Sequence, residues 1–271
     1  MSKICIIRES GGIGDILMMS PIIKELALLN KSKIDIYLGV DLYAEKEVLR
    51  NIPFVNQVKW VLDLDKKLYE KIYDLSYVAY AYEQAGYNFS RQEIFAKYCK
   101  VMPKSFLPIY NNKISYSFKN IYVAIHTEAA EKRRSWKQEY TLELISWLLL
   151  ETDSNILYLN QTPLEIKNKR ILDCSNHSIE KCVQLLTGAS LLIAVDSCFM
   201  HFAASLKIKT LVLFGSTKPE TRIKHYPTHK SLYTPNRCKG CYYKDCSNYS
   251  CMDEIKPKML IEELKKNAFL F

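Results

Sequence analysis

Glycine is scarce in this chain, eight among 271 residues, and three of the eight crowd into Ser10-Gly11-Gly12-Ile13-Gly14-Asp15. That spacing is not G-x-G-x-x-G, which sets aside the dinucleotide fingerprint. No apolar run reaches bilayer-spanning length and residues 1–20 lack a signal-peptide pattern, so a cytoplasmic protein without a transmembrane segment is expected. Short repeats and low-complexity segments are missing as well. The nine cysteines are an odd number, and Cys5, Cys99, Cys174, Cys182 and Cys198 stand singly. In a reducing compartment such residues are most simply small buried apolar groups.

What is present describes an ordinary folded protein, 48% hydrophobic and 25% charged, long enough for two domains. The net charge of +9 favours anionic partners such as nucleotides, phosphorylated glycans, acidic membrane surfaces or nucleic acid, without choosing among them. Excess lysine also simply hydrates a surface.

Strand-like and helix-like segments alternate, the pattern of a parallel sheet covered on both faces. Strands are expected at Lys3–Arg8, Lys33–Leu38, Asn56–Leu62 and Tyr73–Tyr80, with an amphipathic helix over Asp15–Asn30. The pattern restarts with a strand at Asn120–His126, a polar loop, a helix over Thr141–Leu150 and a strand at Asn155–Asn160. A helix over Ile179–Thr187 then precedes strands at Leu191–Val195 and Thr210–Phe214. A boundary within 105–119 divides the chain into domains 1–115 and 116–271, two similar α/β halves.

Asp196-Ser197, an acid–hydroxyl pair at the carboxyl end of a buried strand where a helix begins, marks the place where open α/β sheets bind ligands. Helix N-terminal N–H groups there attract phosphate, so this reads as a phosphate-and-sugar site. Asp196 as a mere helix cap is the plainer alternative, and His201 serves equally as a packed histidine or a ligand contact. Gly12 and Gly14 let the backbone approach a ligand. Asp15 either caps its helix or acts as a general base taking a proton from an attacking hydroxyl. After Thr127, the cations of Lys132-Arg133-Arg134 and Lys137 could neutralise a diphosphate. Arg134 is the better candidate, with Trp136 anchoring the loop; Lys132 and Arg133 read as solvated. Glu165, taken as helical, would accept hydrogen bonds from ribose. Cys238-x2-Cys241-x4-Cys246-x4-Cys251 offers four thiolates that could wrap a structural zinc, or iron, or remain reduced thiols. With all four positions filled, such a site does no chemistry.

In this order the motifs resemble the bacterial heptosyltransferases of glycosyltransferase family nine. The resemblance is carried by Ile4 to Arg8, Gly14-Asp15 and Pro21, and by Asp196-Ser197-Cys198-Phe199-Met200-His201-Phe202-Ala203-Ala204. Phe214-Gly215-Ser216-Thr217-Lys218-Pro219 and the tail Cys251-Met252-Asp253-Glu254-Ile255-Lys256-Pro257 complete it. It implies an α/β, GT-B fold of two Rossmann-like domains facing a central cleft. Domain 1–115 would take the acceptor, and domain 116–271, with its Cys-rich segment 238–251, the nucleotide-sugar donor. Inversion at the anomeric carbon without a catalytic metal is implied, with Asp15 as general base. Asp196 would hold sugar hydroxyls and the backbone N–H groups of Ser197 and Cys198 the diphosphate, with Thr127 near phosphate and Glu165 near ribose. Cys198-Phe199 replaces a Gly-Pro pair, which would narrow the donor pocket. Arg134 replaces a lysine, a fork in place of a point charge. The first half is also short for the family.

The sequence thus predicts an inverting glycosyltransferase that uses ADP-heptose or another nucleotide-diphospho-sugar. Its acceptor would be an anionic hydroxyl compound, first choice a phosphorylated lipopolysaccharide-type glycan reached by peripheral membrane contact. Hydroxylated bases of phage DNA are the alternative acceptor. The rival of another class is a non-catalytic nucleotide-sugar binder or a zinc-stabilised nucleic-acid module.

Overall fold

The computed structural model describes residues 3–40, 46–112, 122–233, Cys246 and 250–266. The chain divides into two compact α/β units, Met1–Asn112 with Glu220–Tyr226, and Lys113–Pro219 with Pro227–Phe271.

In the first unit four parallel strands, β1 (Ile4–Arg8), β2 (Ile34–Leu38), β3 (Val55–Trp60) and β4 (Lys71–Asp74), lie in the order β3-β2-β1-β4. Every residue of β1 and β2 is buried, as expected for central parallel strands packed on both faces. Helix α1 (Ile13–Asn30) follows β1 directly. Instead of being amphipathic it is buried at every position from Asp15 to Ile23, a core helix rather than a surface one. Pro21 removes the N–H that would bond the Leu17 carbonyl. Ser20 repairs the gap: its hydroxyl donates to Leu17 O at 2.6 Å and accepts the Ile109 N–H at 2.7 Å.

The remaining helices of this stretch are α2 (Lys46–Leu49), α3 (Val78–Gln84) and α4 (Arg91–Cys99). The strand expected over Tyr73–Tyr80 stops at Asp74, whose Oδ1 accepts the Ser76 N–H at 3.0 Å and turns the chain into α3. Glu220–Tyr226, expected within the second domain, packs in the first unit. Arg222 pairs with Glu83 at 2.7 Å, Lys224 pairs with Glu93 at 2.7 Å, and Gln92 donates to the Tyr226 hydroxyl at 3.0 Å.

Six parallel strands build the second unit: β5 (Tyr122–His126), β6 (Asn155–Tyr158), β7 (Ile171–Asp173), β8 (Leu191–Val195), β9 (Lys209–Phe214) and β10 (His229–Tyr233). Their order, β7-β6-β5-β8-β9-β10, is the doubly wound 3-2-1-4-5-6 arrangement within the unit. The order reverses between β5 and β8, and in the first sheet between β1 and β4; ligands of such sheets bind at the carboxyl ends beside that reversal. Helices α5 (Gln138–Glu151), α6 (Ile179–Leu186) and α7 (Cys198–Ser205) connect the strands, and α8 (Glu220–Ile223) lies in the segment given to the first unit. The tail forms α9 (Ser250–Asp253) and α10 (Pro257–Lys266).

That tail is bolted to the second core. Met252, Ile255, Leu260 and Leu264 are buried in it, and Trp136 Nε1 donates to Ile255 O at 2.7 Å. A Cβ on Gly215 would meet Met252 Sδ at 2.6 Å, so the Phe214-Gly215 pair and the tail are fitted to each other. Among the described residues no helix is long and apolar enough to cross a membrane.

Two substitutions test this packing by chemical denaturation. Ser20→Ala leaves the buried Leu17 carbonyl and the half-buried Ile109 N–H without their hydroxyl partner and is expected to cost about 1–3 kcal/mol. Gly215→Val forces the tail off β9, at about 1–3 kcal/mol for overpacking.

Candidate functional site

Each unit carries a polar cluster at its strand-order reversal. In the first, Gly11 adopts a φ of 100°, and a Cβ there would overlap Asp15 Oδ2 and Arg8 Nη2. Only glycine lets the chain turn from β1 into α1 this close to two charged groups. Gly12, not Asp15, is the N-cap of α1; Asp15 is the third residue of the helix and its Oδ2 accepts the Gly12 N–H at 3.3 Å. Gly14, half-buried, lies one residue before it.

Asp15 is 6% exposed and held by two arginines, Arg91 Nη1 on Oδ1 at 2.5 Å and Arg8 Nη2 on Oδ2 at 3.1 Å. Burial alone pushes a carboxyl pKa up, but Arg91, Arg8 and Arg222 together outweigh it and hold Asp15 far below the ordinary carboxylate range. Arg8 is fixed in turn: Nη1 donates to Leu75 O and the guanidinium lies 5.5 Å from the Phe95 ring centre. Arg91 grips Glu83 with two nitrogens, Nε at 2.9 Å and Nη2 at 2.8 Å, and Glu83 also pairs with Arg222. Burial would raise Glu83 as well, yet Arg91 and Arg222 lower it. The sequence reading missed Arg8, Glu83, Arg91 and Arg222. Ser90-Arg91-Gln92-Glu93 was the legible signal, a capping box that starts α4 and places Arg91 in its first turn.

In the second unit the reversal brings the end of β5 beside the start of α7. Asp196, 3% exposed, accepts the Thr217 hydroxyl at 2.7 Å and pairs with Arg134 Nη1 at 3.5 Å; that nitrogen also donates to Asp196 O at 3.1 Å. Ser197 is the N-cap of α7, but its side chain takes no bond from the helix and meets His126 Nδ1 at 3.0 Å instead. His126 is buried against the Phe199 ring, and burial pulls its pKa down to about 3, so the ring is neutral near pH 7. Cys198, half-buried, opens the helix. His201 is buried in the middle of α7. Arg133, expected in a solvated loop, is 9% exposed and paired with Glu131. Its Nη1 and Arg134 Nε are buried donors without a hydrogen-bond partner. Both face the cost of an unpaired polar group, which an anion would relieve. Trp136 anchors the loop, its N–H on Thr127 O at 2.9 Å.

Arg134, Asp196 and Ser197 are therefore gathered together, with Thr217 and His126 added to the expected set. Thr127 stands behind them: its N–H and hydroxyl are taken by Asn160 at 2.7 and 2.8 Å, and its hydroxyl also meets Thr141 at 2.9 Å. Glu165 is exposed in an irregular connection, not on a helix, since no run of turns follows β6. Of the four clustered cysteines, Cys238 and Cys241 lie outside the described residues, and Cys246 is half-buried. Cys251 is buried in the core beside Gly215. Among the described residues no group of three or more His, Cys, Asp or Glu could hold a metal ion.

Two parallel-sheet α/β units of this order define the GT-B class of fold. The chain belongs to glycosyltransferase family 9 (heptosyltransferase), whose profile matches residues 44–251. Lipooligosaccharide heptosyltransferase 2 of Campylobacter jejuni subsp. jejuni serotype O:6 is 32% identical over 111 residues, covering 40% of this chain and 34% of that protein. The iron-containing dodecameric glycosyltransferase TibC of enterotoxigenic E. coli H10407 shares the fold at a TM-score of 0.73 and 14% identity. That match covers 98% of this chain and 77% of TibC. E. coli ADP-heptose lps heptosyltransferase II does so at 0.71 and 17%, over 99% and 98% of the two chains.

The arginine grip on Asp15 has a pH signature. Its folded-state pKa is depressed, so its contribution is present above the unfolded value near ~3.9 and is lost as pH falls below it. Below about pH 4, the wild-type protein is expected to lose about 1.4 kcal/mol per pH unit more than Asp15→Asn, measured by urea unfolding.

Proposed function

We propose that the protein transfers a sugar from a nucleotide-diphospho-sugar, ADP-heptose first, to a hydroxyl of a lipooligosaccharide-type glycan, with inversion. The observation that carries this is the second unit's cluster: a helix start, an arginine and buried unpartnered guanidinium nitrogens at the reversal of a doubly wound sheet. Those are the features a diphosphate needs. Family membership and the lipooligosaccharide heptosyltransferase among the relatives support the donor and acceptor classes.

In this reading Asp15 Oδ1 takes the proton of the attacking hydroxyl while its oxygen bonds the anomeric carbon. The carbon–oxygen bond to the diphosphate breaks and its electron pair leaves with the nucleotide. Arg134, Arg133 and the first N–H groups of α7 stabilise the leaving charge, an electrostatic role. Asp196, fixed by Thr217 and Arg134, is the group that meets sugar hydroxyls. Ser197, held by a neutral His126, fixes the angle at which the helix meets phosphate. Gly12 and Gly14 keep the backbone beside Asp15 slim, and Glu165 remains a candidate ribose contact. The DNA acceptor and the non-catalytic binder are favoured by no specific observation and are not carried further. The free thiols Cys5, Cys99, Cys174 and Cys182 suit the reducing cytoplasm.

Cys238, Cys241, Cys246 and Cys251 stay a candidate structural metal site on their donor set alone, since four thiolates suit iron as well as zinc. TibC is itself described as iron-containing. Elemental analysis of the full chain is expected to find one zinc or iron per protein, lost in Cys238→Ser; metal-free wild type removes the site.

Transfer is tested by incubating the protein with ADP-heptose and core-truncated lipooligosaccharide and weighing the acceptor by mass spectrometry. A gain of one heptose is expected. Asp15→Ala should bind the donor as before and lose about 10²–10⁴-fold in kcat, the usual worth of a positioned base. An Asp15→Ala protein with wild-type turnover removes Asp15 from the mechanism.

A further inference from the structure

As the structure stands, each oxygen of Asp15 meets a cation: Oδ1 accepts from Arg91, and Oδ2 accepts from Arg8 and the Gly12 N–H. A carboxylate held by cations at both oxygens is a weak base, and losing one of them strengthens it. Arg8 is the wrong one to move. It is 3% exposed, bonded to Leu75 O and packed on Phe95. Arg91 is different, with a side chain 17% exposed and a second hold, through two other nitrogens, on Glu83. It can release Oδ1 from Nη1 and keep its place. Its position also calls for an explanation, because a cation in the first turn of a helix opposes the helix dipole.

Water is a poor replacement for a carboxylate on a mostly buried guanidinium, whereas another oxyanion is an even exchange. We propose that Arg91 is the positioning residue of this site and sets its acceptor class. An oxyanion on the acceptor, phosphate monoester or carboxylate, takes the Nη1 donor from Asp15 and thereby leaves Oδ1 without a cation, a stronger base for the attacking hydroxyl. This rests on the reading of Asp15 as base. The charged groups facing Asp15 are Arg8 of β1, Arg91 of α4 and Arg222 of α8, with Glu83 of α3 behind Arg91. Arg91 alone couples the acceptor's charge to the base.

The test compares wild type with Arg91→Gln, and with Arg91→Lys should the first fail to fold, on three acceptors: native, dephosphorylated and carboxyl-amidated lipooligosaccharide cores. Wild-type kcat/KM is expected to fall about tenfold or more on whichever stripped acceptor lacks the deciding oxyanion, which names its source. In Arg91→Gln that penalty shrinks to about twofold and the acid limb of the pH profile moves to higher pH, because one cation holding Asp15 down is gone. Arg91→Lys, a point charge that cannot grip Glu83 through two nitrogens, should fall between. A purely structural arginine would lower all rates alike and leave the acid limb and the acceptor preference where they were; that outcome overturns the proposal. A readout free of turnover separates this from the functional reading. Inorganic phosphate titrated into the protein should shift the Asp15 carboxyl carbon resonance in wild type and not in Arg91→Gln. If wild type transfers no sugar, the functional reading has failed. The phosphate-dependent shift then still decides for Arg91, and its absence in wild type decides against it.

Discussion

A carboxylate kept ionised inside the first unit is the constraint around which that unit is arranged. Taking Asp15 out of water is costly unless partners of opposite charge come with it, and Arg8 and Arg91 are those partners. Much local sequence follows from this. Gly11 must lack a side chain for the pair to fit, and Ser90 and Glu93 cap the helix that delivers Arg91. Glu83 and Arg222 extend the pairing, which is why Glu220–Tyr226 packs with the first unit although the chain has already traversed most of the second.

The second unit concentrates donors at its own strand-order reversal, and an unpaired buried nitrogen occurs in the first unit too, at Arg8 Nε. Arg133 and Arg134 keep buried nitrogens unpaired, and Ser197 turns its hydroxyl away from the helix it caps. Each of these is a cost in the unliganded protein that an anion at the start of α7 would relieve. Asp196 restrains the arrangement by tying Arg134 to Thr217. The two clusters thus differ in kind, a buried carboxylate between two arginines and a cationic cluster at the start of a helix.

Regular, strongly apolar elements were legible from sequence because burial on both faces favours apolar residues at most positions. β1, β2, β5, β8 and β9 are mostly apolar and fold as strands, the buried Asp35 of β2 being held by Asn56, Gln57 and Tyr69. Short edge elements were not. β7 and β10 are half-exposed and carry Asp173, His229 and Lys230 among few apolar residues, so no pattern marked them. The motif residues Asp15, Arg134, Asp196 and Ser197 could be picked out since each sits where a strand turns into a helix. Arg91, Glu83 and Arg222 could not, since their meaning lies in ion pairs between segments up to 139 residues apart. Thr127 illustrates the reverse error. It sits at a strand end, yet Asn160 and Thr141 consume its polar atoms, which no one-dimensional spacing reveals.

The central claim is a single displacement at the anomeric carbon, with Asp15 receiving the acceptor's proton. The most direct measurement is the anomeric configuration of the transferred sugar, read from the proton coupling constants of the product against those of the donor. Inversion is the result the account predicts. Retention would require a covalent or front-face route in which Asp15 is not the base, and would contradict it.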